Sequence, residues 1–133
     1  MDVRKEVIKK LDSIFPDIEI YGEEIKQGFK EPCFFVAQIN TDHKQVLGRR
    51  YKRTHSFDVQ YFGSSNQDME NMALRLYEDL EYLLTYKTRA ASMNHQVTGG
   101  VLHFFVDYTV MLIKEKEIYP KMEYLEVNKH GKE

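Results

Sequence analysis

Residues 101–113 read VLHFFVDYTVMLI, and every second position from Leu102 to Leu112 is apolar. Leu102, Phe104, Val106, Tyr108, Val110 and Leu112 share one side of an extended chain, and His103, Asp107 and Thr109 mark the other. Only a strand brings residues i, i+2 and i+4 to one face. An alternating segment this long therefore demands a sheet with one covered face. Covering it stabilises by about 1.5–3 kcal/mol per large side chain before chain entropy is subtracted.

The cover has to come from elsewhere in the chain, and two segments have the required period. In residues 2–15, Val3, Val7, Ile8, Leu11, Ile14 and Phe15 fall at helical spacing between Lys, Arg, Glu and Asp, and Pro16-Asp17 ends the run. A second helix opens at GSSNQD, where Ser65 is an N-cap and Asp68 an acidic first-turn residue. Its stripe is Met69, Met72, Ala73, Leu76, Leu80, Leu83 and Leu84, so the pattern predicts a helix to about residue 84.

Three further strands follow from alternation or apolar runs: IEIY at 18–21, CFFVAQI at 33–39 and the long segment 49–62. The 33–39 run is nearly all apolar, so it is covered on both faces, or covered on one and in contact with a partner on the other. Residues 22–32 read as a polar loop with Gly22, Gly28 and Pro32, residues 40–48 as a turn or flexible loop, and 85–94 as a basic loop. HQVT at 95–98 starts a strand, and Gly99-Gly100 is a hairpin turn or bulge. The expected fold is α+β, a single domain in the order α-β-β-β-α-β-β. Its mostly antiparallel sheet carries two helices packed on one face. The domain runs over 1–117, and 118–133 is a C-terminal arm or extension rich in Lys and Glu.

At 133 residues the chain has room for one core. No apolar run approaches the roughly 20 residues that span a bilayer, and the N-terminus MDVRKEVIKK has no signal-peptide segment, which points to the cytoplasm and to no membrane partner. The single cysteine, Cys33, forms no intrachain disulfide and reads as a buried structural thiol. A net charge of −2 argues against a dedicated nucleic-acid binder.

A search for chemistry finds little. The histidines 43, 55, 95, 103 and 130 make no HxxxH or HExxH pair. His103 and Asp107 share a strand face about 13 Å apart, too far to chelate one ion. Asp17 with Glu24 and Lys26 resembles the PD…ExK arrangement of metal-dependent nucleases, but the gap is short and Glu24 lies in a Gly-flanked loop. There is no phosphate-cradling Gly loop and no nucleophile elbow. No catalytic, cofactor-binding or metal-binding residues are assigned, and the chain is not expected to be an enzyme.

What remains is LGRRYKRTHSFDVQYF, residues 47–62, with Arg49, Arg50, Lys52 and Arg53 in five positions. Tyr51, Arg53, His55, Phe57, Val59 and Tyr61 form one face, apolar from Phe57 onward, so the second half enters the core and the basic half projects beyond it. That basic end admits three readings: a phosphate-contacting patch with Tyr51 stacking on bases, a charged strand end that blocks unwanted pairing, or a salt-bridging surface for an acidic partner.

IYGEEIKQGFKEPCFFV, LGRRYKRTHSFDVQYF, GGVLHFFVDYTVMLIKEKE and PKMEYLE together resemble a family of tail terminator proteins from phages and prophage-like elements of Gram-positive bacteria, over residues 4–126. Loops 40–47 and 85–94 carry nothing matched. The resemblance implies a structural, cofactor-free protein of the virion tail, assembled in the host cytoplasm. It implies a ring, typically a hexamer, on the head-proximal end of the tail tube, where it stops tube polymerisation and meets the head-completion proteins, with DNA passing in the lumen. Alternatives are another head–tail joining or minor virion protein, or a small DNA-binding or DNA-processing protein. For such a ring we pair Arg49, Arg50, Lys52 and Arg53 with Glu23, Glu24 and Glu31 of a neighbour. Tyr119, Met122, Tyr124 and Leu125 are assigned to an arm on a neighbour or the tube.

Overall fold

The structure, a computed structural model, describes residues 2–22, 30–83 and 88–115 and the backbone of 124–126. Helix α1 is Val3–Ile14. The Asp2 side chain caps it by accepting a hydrogen bond from the Lys5 N–H at 3.1 Å, and Val3, Val7 and Leu11 bury one stripe. Helix α2 is Asn66–Asp79. Ser65 Oγ accepts from the Asp68 N–H at 3.1 Å, and the Asp68 carboxylate accepts from Tyr61 Oη at 2.9 Å and the Ser64 N–H at 3.1 Å. That carboxylate ties the preceding strand to the start of the helix.

Among the described residues the strands are β1 Glu19–Tyr21, β2 Cys33–Leu47, β3 Arg50–Phe62, β4 Tyr82–Leu83, β5 Thr88–Thr98, β6 Val101–Lys114 and β7 Tyr124–Glu126. They form one sheet in the order β1-β2-β3-β6-β5-β4, with β7 paired to β6 beyond the end of β5. Only β1–β2 is parallel among the paired strands. β5 and β6 are joined at Gly99-Gly100, whose φ values of 60° and 77° are what a two-residue hairpin turn requires.

Both helices pack on one face. Phe34 and Val36 of β2, Phe57, Val59 and Tyr61 of β3, and Leu102 through Leu112 at alternate positions of β6 form a single core with α1 and α2. Tyr108 is fully buried. Its hydroxyl donates to the Leu80 carbonyl at the C-cap of α2, satisfying a group the helix leaves without an internal partner. The α+β single-domain reading and the one-sided helix pair therefore hold.

Three segments depart from the sequence reading. Residues 40–47 are not a loop: β2 runs on to Leu47 and stays paired with β3, with register shifts at Ile39 and Val46. That half of β2 is exposed on every residue, so it has no buried face to write an alternation into the sequence. Residues 88–94, read as loop, belong to β5, where a bulge at Ala91 shifts the register and breaks the pattern. Helix α2 stops at Asp79, and Leu83 is buried from β4 instead of from a further helical turn. A stripe at helical spacing was satisfied by a helix, then a bend, then a strand.

Replacing Tyr108 with Phe should lower stability by about 1–2 kcal/mol, because the Leu80 carbonyl loses its buried donor. Urea unfolding should show a lower midpoint with an unchanged slope.

Candidate functional site

The buried face of β3 ends near Phe57 and that of β2 near Val36, although Tyr108, Val110 and Leu112 keep β6 in the core further along, and β2 and β3 continue. Beyond that level β2 and β3 form an exposed hairpin arm closed by Gly48 and Arg49, with Gly48 at φ 55°. β6 follows along the arm to Ile113, opposite Arg50. The Lys114 N–H donates to the Arg49 carbonyl at 2.6 Å, and the Arg49 guanidinium reaches the Lys114 carbonyl at 3.4 Å, so the tip is fastened to the end of β6. Bulges at Ile39 and Val46 bend the edge strand.

Register separates the four basic residues of the tip. Arg53 lies on the same side as the core face; its Nε donates to His43 Nδ1 at 3.3 Å, and His43 stacks on Tyr51 with ring centroids 5.2 Å apart. Arg49 is held by Lys114. Arg50 and Lys52 share the opposite side, and both are exposed. Lys52 is the direct cross-strand partner of Lys44. Like charges placed directly opposite destabilise a sheet, and the 3.7 Å contact of Lys44 with Asp42 on the surface offsets little of that. Apolar side chains are exposed on the same arm: Ile39, Val46, Leu47 and Met111, with Leu47 at the tip 75% exposed.

Sequence reasoning found the basic residues and missed these apolar ones and Lys44. The signal was present, since Ile39 and the pair Val46-Leu47 bracket an otherwise polar INTDHKQVLG. Of the acidic residues paired with the cluster, Glu31 is exposed just before β2, at the far end of that strand from Arg49 and Arg50. Glu23 and Glu24 lie outside the described residues, as do Tyr119 and Met122. Tyr124 and Leu125 lie in β7, paired with Lys114 and Ile113 of the same chain.

Two perturbed groups report on the environment. Burial pushes the Cys33 thiol up to about 11, with the Glu31 carboxylate adding to it. His55, at the junction of arm and core, has its pKa lowered, first by burial and then by Arg53, against an opposing pull from Asp2. His55 Nδ1 meets Gln38 Nε2 at 3.0 Å. Elsewhere, Tyr77 Oη, His95 and Glu70 form a chain of 2.8 Å contacts that links α2 to β5, with Tyr77 packed edge-on to Phe104. Among the described residues no group of three or more His, Cys, Asp or Glu side chains is gathered to hold a metal ion, and no helix is long and apolar enough to cross a membrane.

The architecture is a small α+β domain whose sheet outruns its core and carries charge on the overhang. The chain belongs to the phage tail terminator family: the family described as phage tail terminator protein matches residues 2–120. It is thus a structural component of a phage tail. No curated protein matches the chain.

Cys33 should resist a thiol reagent at pH 8 in the native chain and react promptly in urea, because the thiolate is the reactive form. His55 has a depressed native pKa, so its contribution to stability is present above the unfolded value near 6.5. That contribution is lost as pH falls through the lower folded value. The stability difference between wild type and a His55→Gln variant should therefore change between pH 7.5 and pH 5, in the direction of wild type losing more; denaturant midpoints at the two pH values measure it.

Proposed function

We propose that this protein is the terminator subunit that caps the head-proximal end of the tail tube, stops tube polymerisation and offers the surface on which the head-completion protein docks. Family membership over nearly the whole chain carries this reading. The arm supports it, since an exposed sheet extension with crowded positive charge and an apolar tip suits an assembly contact. In this reading the protein works by contact with itself, the tube and the head, most simply as a closed ring of six copies, and needs neither catalysis nor a cofactor. Different faces of one chain meet in such a ring, because rotational closure above two-fold uses heterologous contacts.

The exposed Arg50 and Lys52 also bear on DNA, which passes through the lumen of a tail. Phosphate contact would make affinity fall steeply with salt. We assign these residues to protein contact, because the chain as a whole is slightly acidic.

Deletion of the gene, followed by electron microscopy of the particles, tests the proposal. Overlong tube polymers or tails unattached to heads are expected. Normal virions would overturn it.

A further inference from the structure

At the opposite end of the molecule from the arm tip, α1 and β1 leave an open groove of about 310 Å³. Its floor is aliphatic: Ile8 of α1, Pro16, Ile18 and Ile20. Asp12 and Glu19 stand at its rim, both exposed. Lys9 also borders it, but its ammonium is 3.7 Å from Glu6 on the same helix. The volume is at the lower limit of the ~300–1,000 Å³ typical of small-molecule pockets, and the groove is open, so side chains of a protein suit it better than an enclosed ligand.

The arm tip has the complementary character. Val46 and Leu47 present aliphatic side chains to solvent. Lys44, Arg50 and Lys52 surround them with positive charge that the chain itself leaves crowded. The two surfaces cannot meet within one chain. β2 is 15 residues long, and at about 3.3 Å per residue its ends are roughly 45–50 Å apart. The groove flanks β1, which pairs with the first residues of β2, and the tip follows the last.

We infer that the arm tip of one copy seats in the α1–β1 groove of the next, with Leu47 against Ile8, Ile18 and Ile20 and with Arg50 and Lys52 facing Asp12 and Glu19. The inference rests on the ring reading above and names its contact. It replaces the pairing with Glu23, Glu24 and Glu31 by one with an apolar centre and a charged rim, the usual anatomy of a protein interface. The contact is heterologous, because tip and groove are different patches of the same chain. Repetition therefore closes a ring or extends a filament, and does not stop at a dimer. The occupant is a second copy because the same chain carries both halves, each with an aliphatic centre and with opposite charge around it.

The test uses the full-length chain carrying Val46→Cys and Lys9→Cys together, beside the tip and the groove, which leaves Leu47, Arg50, Lys52, Asp12 and Glu19 in place. Both positions are exposed, and the native Cys33 is buried and unreactive. A short bismaleimide is applied to the purified protein at high concentration and to tails from cells complemented with the variant. A ladder of covalent multimers beyond dimer, absent from either single-cysteine variant, supports the contact. No multimer in either preparation overturns it. As a second arm, Arg50→Glu and Glu19→Arg are each expected to reduce head-joined tails at least tenfold, and the double variant to restore them; circular dichroism checks that each folds. Single variants that join tails like wild type would overturn the arm-to-groove contact while leaving tail termination standing. Loss of joining in Leu47→Asp without any cross-link between copies would assign the tip to the tube protein instead, and salt-dependent retention on DNA would assign it to nucleic acid. Either result overturns the inference. Normal tails in the gene deletion would sink the terminator reading itself, and the cross-link on purified protein would still decide the contact.

Discussion

The antiparallel ladder between β3 and β6 is the interaction on which the rest of the structure depends. It runs without a register shift from Tyr61 opposite Leu102 to Arg50 opposite Ile113. Its first half supplies the centre of the core, with Phe57, Val59, Phe104 and Val106 all fully buried beneath the two helices. Its second half stays buried along β6, at Tyr108, Val110 and Leu112, while β3 beside it carries the exposed Arg50 and Lys52 and becomes the base of the arm. One set of hydrogen bonds thus serves burial at one end and presentation at the other. The helices follow from it, since the apolar face of β6 needs a cover of matching length and α1 and α2 provide it.

This division explains which parts of the molecule could be read from the amino-acid sequence. Where a strand has one wet face and one dry face, composition alternates, and Val101–Lys114 could be recognised at once. The helical stripes of Val3, Val7 and Leu11 and of Met69, Met72, Ala73 and Leu76 were legible for the same reason. Residues 40–47 have two wet faces, so nothing in their side chains distinguishes a paired strand from a loop. Their partner strand holds them extended, and that information lies in Tyr51–Ser56. β5 was obscured by its bulge and by half-covered inward residues such as Met93 and Val97.

The candidate site divides along the same line. The basic tip is contiguous in sequence and was visible. Its separation into Arg49 and Arg53, engaged within the chain, and Arg50 and Lys52, facing outward, follows from register and turn geometry. The opposition of Lys44 and Lys52 needs the strand pairing before it exists at all. The groove is assembled from a helix and a short parallel strand that no spacing rule connects, and its aliphatic residues pass in the sequence for ordinary core.

The arm and the core share continuous strands, with no glycine or proline between Arg50 and Phe62 or between Val101 and Lys114. A pull applied at the tip along the strand axis is therefore carried by many cross-strand hydrogen bonds loaded in parallel, a shear geometry in which bonds must fail together. A sideways pull would instead open the hairpin from its tip, one bond after another. The molecule is mechanically anisotropic: stiff along the direction in which β2, β3 and β6 extend, compliant across it.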